Sequence, residues 1–259
     1  MNLCVLLSCM HQSDVSIVEK SNIQTDVIVV NQCNHEQIET FSFLNKKGKI
    51  CQVKFINTTE RGLSKSRNMA IRNCDADICV LADDDEYFTD DYEEKVISAY
   101  QAHPEVGVIA FSLIRNDIIG GKLYPTVEKE LGFKQIFSTS SLQLAFKKSN
   151  NVFFDEKMGS GTGNGGGEEN KFLFDIRRKG IKMWYFPSVI ATINPGESKW
   201  FNGYNEHFFR NHGWASRRIL GGTYSLIYCI YYIFRMRNKA ELSFGKLVKS
   251  EFSGWLSKR

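Results

Sequence analysis

The chain has 259 residues, 42% apolar and 24% charged, with only 4 prolines. That suffices for one large domain, or a domain with an appendage, and excludes a disordered or low-complexity chain. The formal charge of +4 is uneven: His207 to Arg259 holds ten Lys/Arg against two Glu, a net of +8, which leaves −4 on the rest. A basic end on a mildly acidic body calls for an anionic partner.

The seven cysteines, at 4, 9, 33, 51, 74, 79 and 229, are odd in number and lack a Cys-x-x-Cys pair. They read as buried free thiols in a reducing cytoplasm, not as a disulfide framework or a zinc site. The start, "MNLCVLLSCMHQ", has no basic leader and no cleavage-like site, so no signal peptide is expected. No run reaches the roughly 20 apolar residues of a spanning helix; the nearest is Thr223 to Phe234.

Apolar, β-branched runs at 3–8, 26–31, 50–56, 77–82 and 106–112 predict strands. Between them, Leu63 to Asn73 reads as a helix. A second helix follows Thr89 as its N-cap, with Tyr92, Val96, Ile97 and Tyr100 at helical intervals. Alternating helices and continuously apolar strands predict a mostly parallel sheet covered on both faces, with the active site outside the carboxyl ends of its strands. Asp83 to Asp85 falls at such an end. After Ser112 the alternation breaks. Residues 113–167 look irregular, with strands expected at 133–138 and 141–147. A loop with six glycines in Gly159–Gly167 then leads into a helix, Glu168 to Lys179, closed by Gly180. Past 200 the chain is aromatic and basic.

Three motifs carry chemistry. In "LADDDE", Asp83 to Glu86 stand side by side after an apolar run. Neighbouring carboxylates 4–5 Å apart repel by roughly 3–4 kcal/mol at an effective dielectric near 20. Such a cluster is either a solvated loop before a helix or a site for a hard divalent ion shared with a diphosphate. "TTERGLSKSRNMAI" is either an amphipathic helix with a basic face or a small-residue turn whose Ser64, Lys65 and Arg67 hold a nucleotide. "GNGGGEENKF" is a flexible linker or a loop that moves over a ligand. It is not a P-loop, since no Gly-Lys-Ser/Thr follows. Glu168 and Glu169 at its helix start are candidates for a general base.

In this order and at these separations, the motifs resemble those of the family-2 glycosyltransferases with the GT-A nucleotide-sugar fold, over roughly residues 1 to 200. "CVLLS" matches the opening strand, "RGLSKSRNMAI" the Gly-x-Ser-x-Ala-Arg-Asn segment, "LADDDE" the Asp-x-Asp motif and "GGGEENKF" the Gly-Glu-Asp-x-x-Phe motif. The resemblance implies an α/β, Rossmann-like domain at 1–200, with a nucleotide-sugar half at about 1–112 and an acceptor half at about 113–200. It also implies a metal-dependent enzyme that moves a sugar, with inversion, from a nucleotide-diphospho-sugar (UDP-linked) to a glycan acceptor. Ser8, Asn31, Arg67, Asp83 and Asp84 are then donor-side residues, with Asp83 near the ribose or uracil and Arg67 on the base or diphosphate. Asp85, with Asp83, holds Mn2+ or Mg2+. Glu169 takes the place of the catalytic base, with Glu168 before it.

The chain departs from the family pattern in three places. Asn31 and Asn34 stand where an Asp after the second strand usually reads the base. Glu169 is one methylene longer than the usual Asp. Asn194 lies near the place of a metal-binding histidine, and His207 and His212 read as structural. Trp200, Phe201 and Tyr204 are candidates either to stack on an acceptor sugar or to pack in the core.

The remainder, 201–259, reads as amphipathic helices with a basic-aromatic character. They are either packed on the body or lying on an anionic membrane. The second reading suits a lipid-linked acceptor in cell-surface polysaccharide synthesis and a peripheral enzyme on the inner face of the cell membrane. No nucleic-acid module is recognised. A sugar nucleotidyltransferase, which would carry a glycine- and basic-rich loop where this chain has "SCMHQSD", and a catalytically silent scaffold are the alternatives.

Overall fold

The computed structural model describes residues 1–116, 123–194 and 202–257. The chain opens with β1 (Leu3–Met10), a short α1 (Ile17–Lys20), β2 (Asp26–Gln32), β3 (Gln37–Leu44), β4 (Ile50–Thr58) and α2 (Leu63–Asn73). β5 (Ile78–Asp83), β6 (Glu86–Phe88), α3 (Tyr92–Ala102), β7 (Val108–Arg115), β8 (Lys129–Glu130), α4 (Phe133–Ile136) and β9 (Leu144–Lys147) follow. α5 (Glu168–Arg178), β10 (Met183–Ile193), α6 (Glu206–Leu220), α7 (Gly222–Met236) and α8 (Phe244–Leu256) complete it.

The strands form one sheet in the order β3-β4-β2-β1-β5-β9-β7-β10-β6, with β8 beside β10. β4, β2, β1 and β5 pair in parallel, as do β7 and β10. β3 and β6 run antiparallel at the two edges, and β9 runs antiparallel between β5 and β7. The expected mostly parallel sheet with helices on both faces is therefore present. Its strands are apolar throughout because both faces are covered. In β1, Cys4 and Leu6 enter the core that holds α2, α5 and α6, while Leu3, Val5 and Leu7 enter the core that holds α1 and α3.

Three local expectations change. Residues 133–138 start as helix α4, not as a strand. Phe133 and Phe137, four apart, lie 5.7 Å from each other and both meet Phe174 of α5, at ring distances of 5.1 and 5.3 Å; one helical turn brings them that close, whereas four strand residues would hold them about 13 Å apart. Only 144–147 of the second expected strand is extended, because Ser140 and Gln143 form a capping box over a tight 3-10 turn. The cap of α3 is Asp91, not Thr89. The Thr89 amide is used by Ile190 of β10 (2.8 Å), so Thr89 ends the edge strand's turn before the helix begins.

α6 belongs to the body's core: Trp214, Ile219 and Leu220 pack in the same cluster as Met158 and Phe172. Phe209, Ile233, Met236 and Leu247 form a smaller core among α6, α7 and α8. α6 and α8 cross in backbone contact at two glycines. A Cβ on Gly254 would lie 1.8 Å from the Arg210 carbonyl oxygen, and one on Gly213 would lie 2.0 Å from that of Glu251. Neither backbone can yield without separating the helices, so Gly254→Ala is expected to cost about 3 kcal/mol, read as an earlier urea midpoint than that of a Ser253→Ala control.

Candidate active site

Register places a row of polar residues at the carboxyl edge of the parallel strands. Ser8 pairs with Asp83, and Asn31 pairs with Asn57. Much of this row is structural. Ser8 is buried and accepts a hydrogen bond from Ser66 of α2 (2.9 Å). Asn31 is fully buried; its amide donates to the Gln12 carbonyl (2.9 Å) and to Asn57 (2.8 Å), and its oxygen accepts from the Gln12 amide (3.0 Å). Asn34 accepts from Arg61 (2.9 Å).

Helix α2 inverts the usual amphipathic logic. Its polar residues Ser64, Ser66, Arg67 and Asn68 are buried along with Ala70 and Ile71, while Lys65 and Arg72 form outer ion pairs with Glu60 and Glu156. The inward polar groups are matched except for Arg67 Nε. Ser64 donates to the Met158 carbonyl (2.7 Å), and Asn68 bonds both the carbonyl and the amide of Phe154. The helix begins at Gly62, held at φ 120°, whose amide donates to Gln32 (2.8 Å); the Leu63 amide donates to the Ser160 carbonyl (2.9 Å).

At the centre sits Arg67, 1% exposed. One terminal nitrogen donates to both Asp83 oxygens (3.3 Å each) and to the Ser141 hydroxyl (2.9 Å), and the other meets Glu168 at 3.4 Å. The Phe154 ring lies 5.3 Å below the guanidinium. Burial alone would lower its pKa, but Asp83, Glu168 and Glu169 more than offset that and raise it. Only Nε lacks a partner. Both terminal nitrogens of the side chain expected to touch the donor are thus engaged in joining the aspartate turn to the start of α5.

The four acidic residues divide by environment. Asp83 is Arg67's partner. Asp84 faces outward and accepts from Gln12 (3.2 Å). Asp85 is half-buried; its backbone carbonyl accepts from the Asn194 amide (3.0 Å), and its Oδ1 is shielded without a partner. Glu86, on β6, is buried with neither oxygen bonded. Burial and then the neighbouring aspartates push the Asp84, Asp85 and Glu86 carboxyls up, Glu86 well above the usual range.

The glycine loop is a folded element, not a linker. Gly159, Gly161, Gly163, Gly166 and Gly167 all have φ between 78° and 100°, the left-handed region that other residues enter at a cost. A bridge joins Gly159 to Asn164, and Gly161 lies against Gly62 so closely that a Cβ would approach its Cα to 3.2 Å. Gly167 then caps α5, whose first two residues are Glu168 and Glu169. Glu168 is buried on Arg67, with its second oxygen unpartnered. Glu169 is half-buried, and burial together with the Glu168 charge pushes its carboxyl up to about 8.

Among the described residues no three acidic, His or Cys side chains converge into a preformed metal cage. The residues still fit a hard divalent ion. The orphaned Asp85 oxygen and the mutually repelling Asp83–Asp85 carboxylates are oxygen donors, and Mg2+ or Mn2+ commonly takes one or two such carboxylates and completes its shell with substrate phosphates and water. Asn194 lies beside the turn. His207 bonds Asn211 (2.9 Å) and His212 bonds Glu251 (2.6 Å), both within the C-terminal helices. Tyr204 packs in the small helical core against Phe208, its amide donating to Glu241 (3.0 Å). Trp200 and Phe201 lie outside the described residues.

Two participants have no signal of their own in the sequence motifs, Ser141 and Phe154, and Glu86 of the acidic cluster is buried where the motif gives no sign of it. The Ser140–Gln143 capping-box spacing marked the turn that carries Ser141; nothing local marked Phe154.

The model of the family described as Glycosyl transferase family 2 matches residues 10–162. Among solved structures, S. aureus TarS residues 1–349 in complex with UDP-GlcNAc is 13% identical, with 96% of this chain and 79% of that one covered and a TM-score of 0.64. The same fragment in complex with UDP is 14% identical, covering 92% and 72%, with a TM-score of 0.60. S. aureus TarS is 12% identical, covering 93% and 44%, with a TM-score of 0.60. At these identities the likeness is one of fold. No curated protein matches the sequence.

Proposed function

The chain belongs to glycosyl transferase family 2, and from that premise we propose an inverting, metal-dependent transfer of a sugar from a UDP-sugar to a growing glycan on a lipid carrier. The observation that carries the reading is the convergence of two acidic segments at the carboxyl edge, the Asp83–Asp85 turn and the Glu168–Glu169 helix start, tied together by Arg67. The structural relatives captured with UDP and UDP-GlcNAc support the choice of nucleotide. The basic, aromatic C-terminal helices support the lipid-linked acceptor.

In this reading Glu169 accepts the proton of the acceptor hydroxyl as its oxygen attacks the anomeric carbon and the bond to the diphosphate breaks on the opposite side. One displacement inverts the anomeric centre. Asp85 and Asp83 would hold Mn2+ or Mg2+, which when bound offsets the charge that builds on the departing diphosphate. Asp84, exposed beside Gln12, faces the donor, and Arg67 keeps the two acidic segments in register.

The test is release of nucleoside diphosphate from a panel of nucleotide-sugars with Mn2+, Mg2+ or chelator. Release from one UDP-sugar is expected, abolished by chelator and reduced at least 100-fold, about 3 kcal/mol, in Asp85→Ala. Chelator-insensitive release, unchanged in that variant, would reject the assignment of Asp85.

A further inference from the structure

No helix among the described residues is long and apolar enough to cross a membrane, yet α7 carries an uncovered apolar face. Its inner side, Ser225, Cys229, Ile233 and Met236, is buried. On the opposite side Tyr224 is 73% exposed, Ile227 62% and Phe234 56%, with Ile230 and Tyr231 between them. At 100° per residue these five fall within one half of the helix circumference. Phe244, at the start of α8, extends the face, its ring 5.9 Å from that of Phe234.

We propose that this face is an in-plane docking surface for an anionic lipid bilayer. Charge selects that occupant. From Gly222 to Ala240 there is no acidic residue, and exposed Arg235 in the last turn is followed by exposed Arg237 and Lys239 just past the helix. Arg237 lines the shallow groove between Phe234 and Phe244, so apolar rings and a guanidinium lie together at the depth where acyl chains meet headgroups. Tyr231 shares the boundary, its hydroxyl accepting from Arg235 (2.8 Å).

The surface is coupled to the candidate active site. Tyr228 of α7 turns inward and stacks on Phe137 (5.1 Å), and the adjacent Ile136 carbonyl accepts from Asn170, the residue after Glu169 (3.0 Å). α6 reaches the same helix start, with Ile219 against Gly167 and Arg218 paired to Asp155 (2.8 Å). A bilayer held at α7 therefore lies one packing layer from the base helix.

The proposal does not depend on the transfer reaction, and its test needs no activity. The full chain is sedimented with vesicles of phosphatidylcholine alone and of phosphatidylcholine with phosphatidylglycerol. It is expected to partition onto the anionic vesicles, to leave them as salt rises, and to ignore the neutral ones. Arg235→Glu/Arg237→Glu is expected to weaken partition at least about tenfold, since each basic residue near an anionic surface contributes about fivefold. Ile227→Glu/Phe234→Glu is expected to abolish it with an unchanged melting midpoint. Wild-type chain that stays in the supernatant with both vesicles would overturn the proposal, as would retained partition in either double variant. So would a wild-type dimer in analytical ultracentrifugation that Ile227→Glu/Phe234→Glu converts to monomer, because the face would then belong to a second copy.

Discussion

Glu169→Gln is expected to lower transfer by roughly 10²- to 10⁴-fold, the usual contribution of a positioned general base, while making the protein harder to melt. Both effects come from one feature. Glu169 sits half-buried at the start of α5, beside Glu168, and its carboxyl is pushed from the ordinary 4.5 to about 8. The folded chain therefore holds the proton more tightly than the unfolded chain does. Stability is intact while both states are protonated, below about 4.5, and is lost progressively as pH rises from there to about 8. Glutamine has no charge to desolvate, so the variant should match wild type in acid and exceed its melting midpoint at neutral and mildly alkaline pH. The base must be ionised to work, so wild-type kcat/KM should climb with pH through about 8, and this limb should vanish with the activity in the variant. Melting curves and kcat/KM measured across that range test both. A variant that transfers sugar within tenfold of wild type would move the role of base to another group.

The ion pair with Arg67 distinguishes the two glutamates. Glu168 is committed to Arg67, whereas Glu169 has the opposite-charge partner one step removed. In the proposed mechanism the first therefore supports and the second is the base. A carboxylate whose pKa is raised toward the working pH is a stronger proton acceptor once ionised, which suits a base facing a hydroxyl.

What the sequence disclosed follows from what is local. β1, β2, β4, β5 and β7 were visible because strands covered on both faces are continuous apolar runs, and their alternation with α2 and α3 gave the sheet. β3 was not visible because it is an edge strand with a largely exposed face, and β6 because it has three residues. α4 misled because two phenylalanines in an apolar run suit either period until their partner, Phe174, is known. The acidic turn and the glutamate pair were legible as motifs, since each is contiguous. The environment of Arg67 was not: Asp83, Ser141 and Glu168 are 16, 74 and 101 residues away in sequence, and only the topology brings them together. A basic residue on a helix reads as an outer face or a ligand contact until such distant carboxylates are placed around it.

Arg67 therefore makes the second large prediction. Arg67→Met is expected to cost about 3–5 kcal/mol in urea unfolding, because it removes the cation that buried Glu168 shares with half-buried Asp83 and leaves the two carboxylates to repel each other. Methionine retains much of the aliphatic volume over Phe154, so the loss reports charge and hydrogen bonding more than a cavity. Adding Glu168→Gln removes one stranded carboxylate. The double variant should recover a large part of the loss, a coupling that a double-mutant cycle measures directly. Arg67→Lys should fall between, since a single ammonium cannot span Asp83, Ser141 and Glu168 with the fork that the guanidinium provides. Function should follow the same path. The positive charge at Arg67 lowers the Glu169 carboxyl from where burial alone would hold it, so removing that charge should move the rising limb of the kcat/KM profile to higher pH. A variant that unfolds like wild type while donor affinity alone falls would instead make Arg67 a donor ligand that swings out of its pocket, and the acidic turn would then have to hold its shape without it.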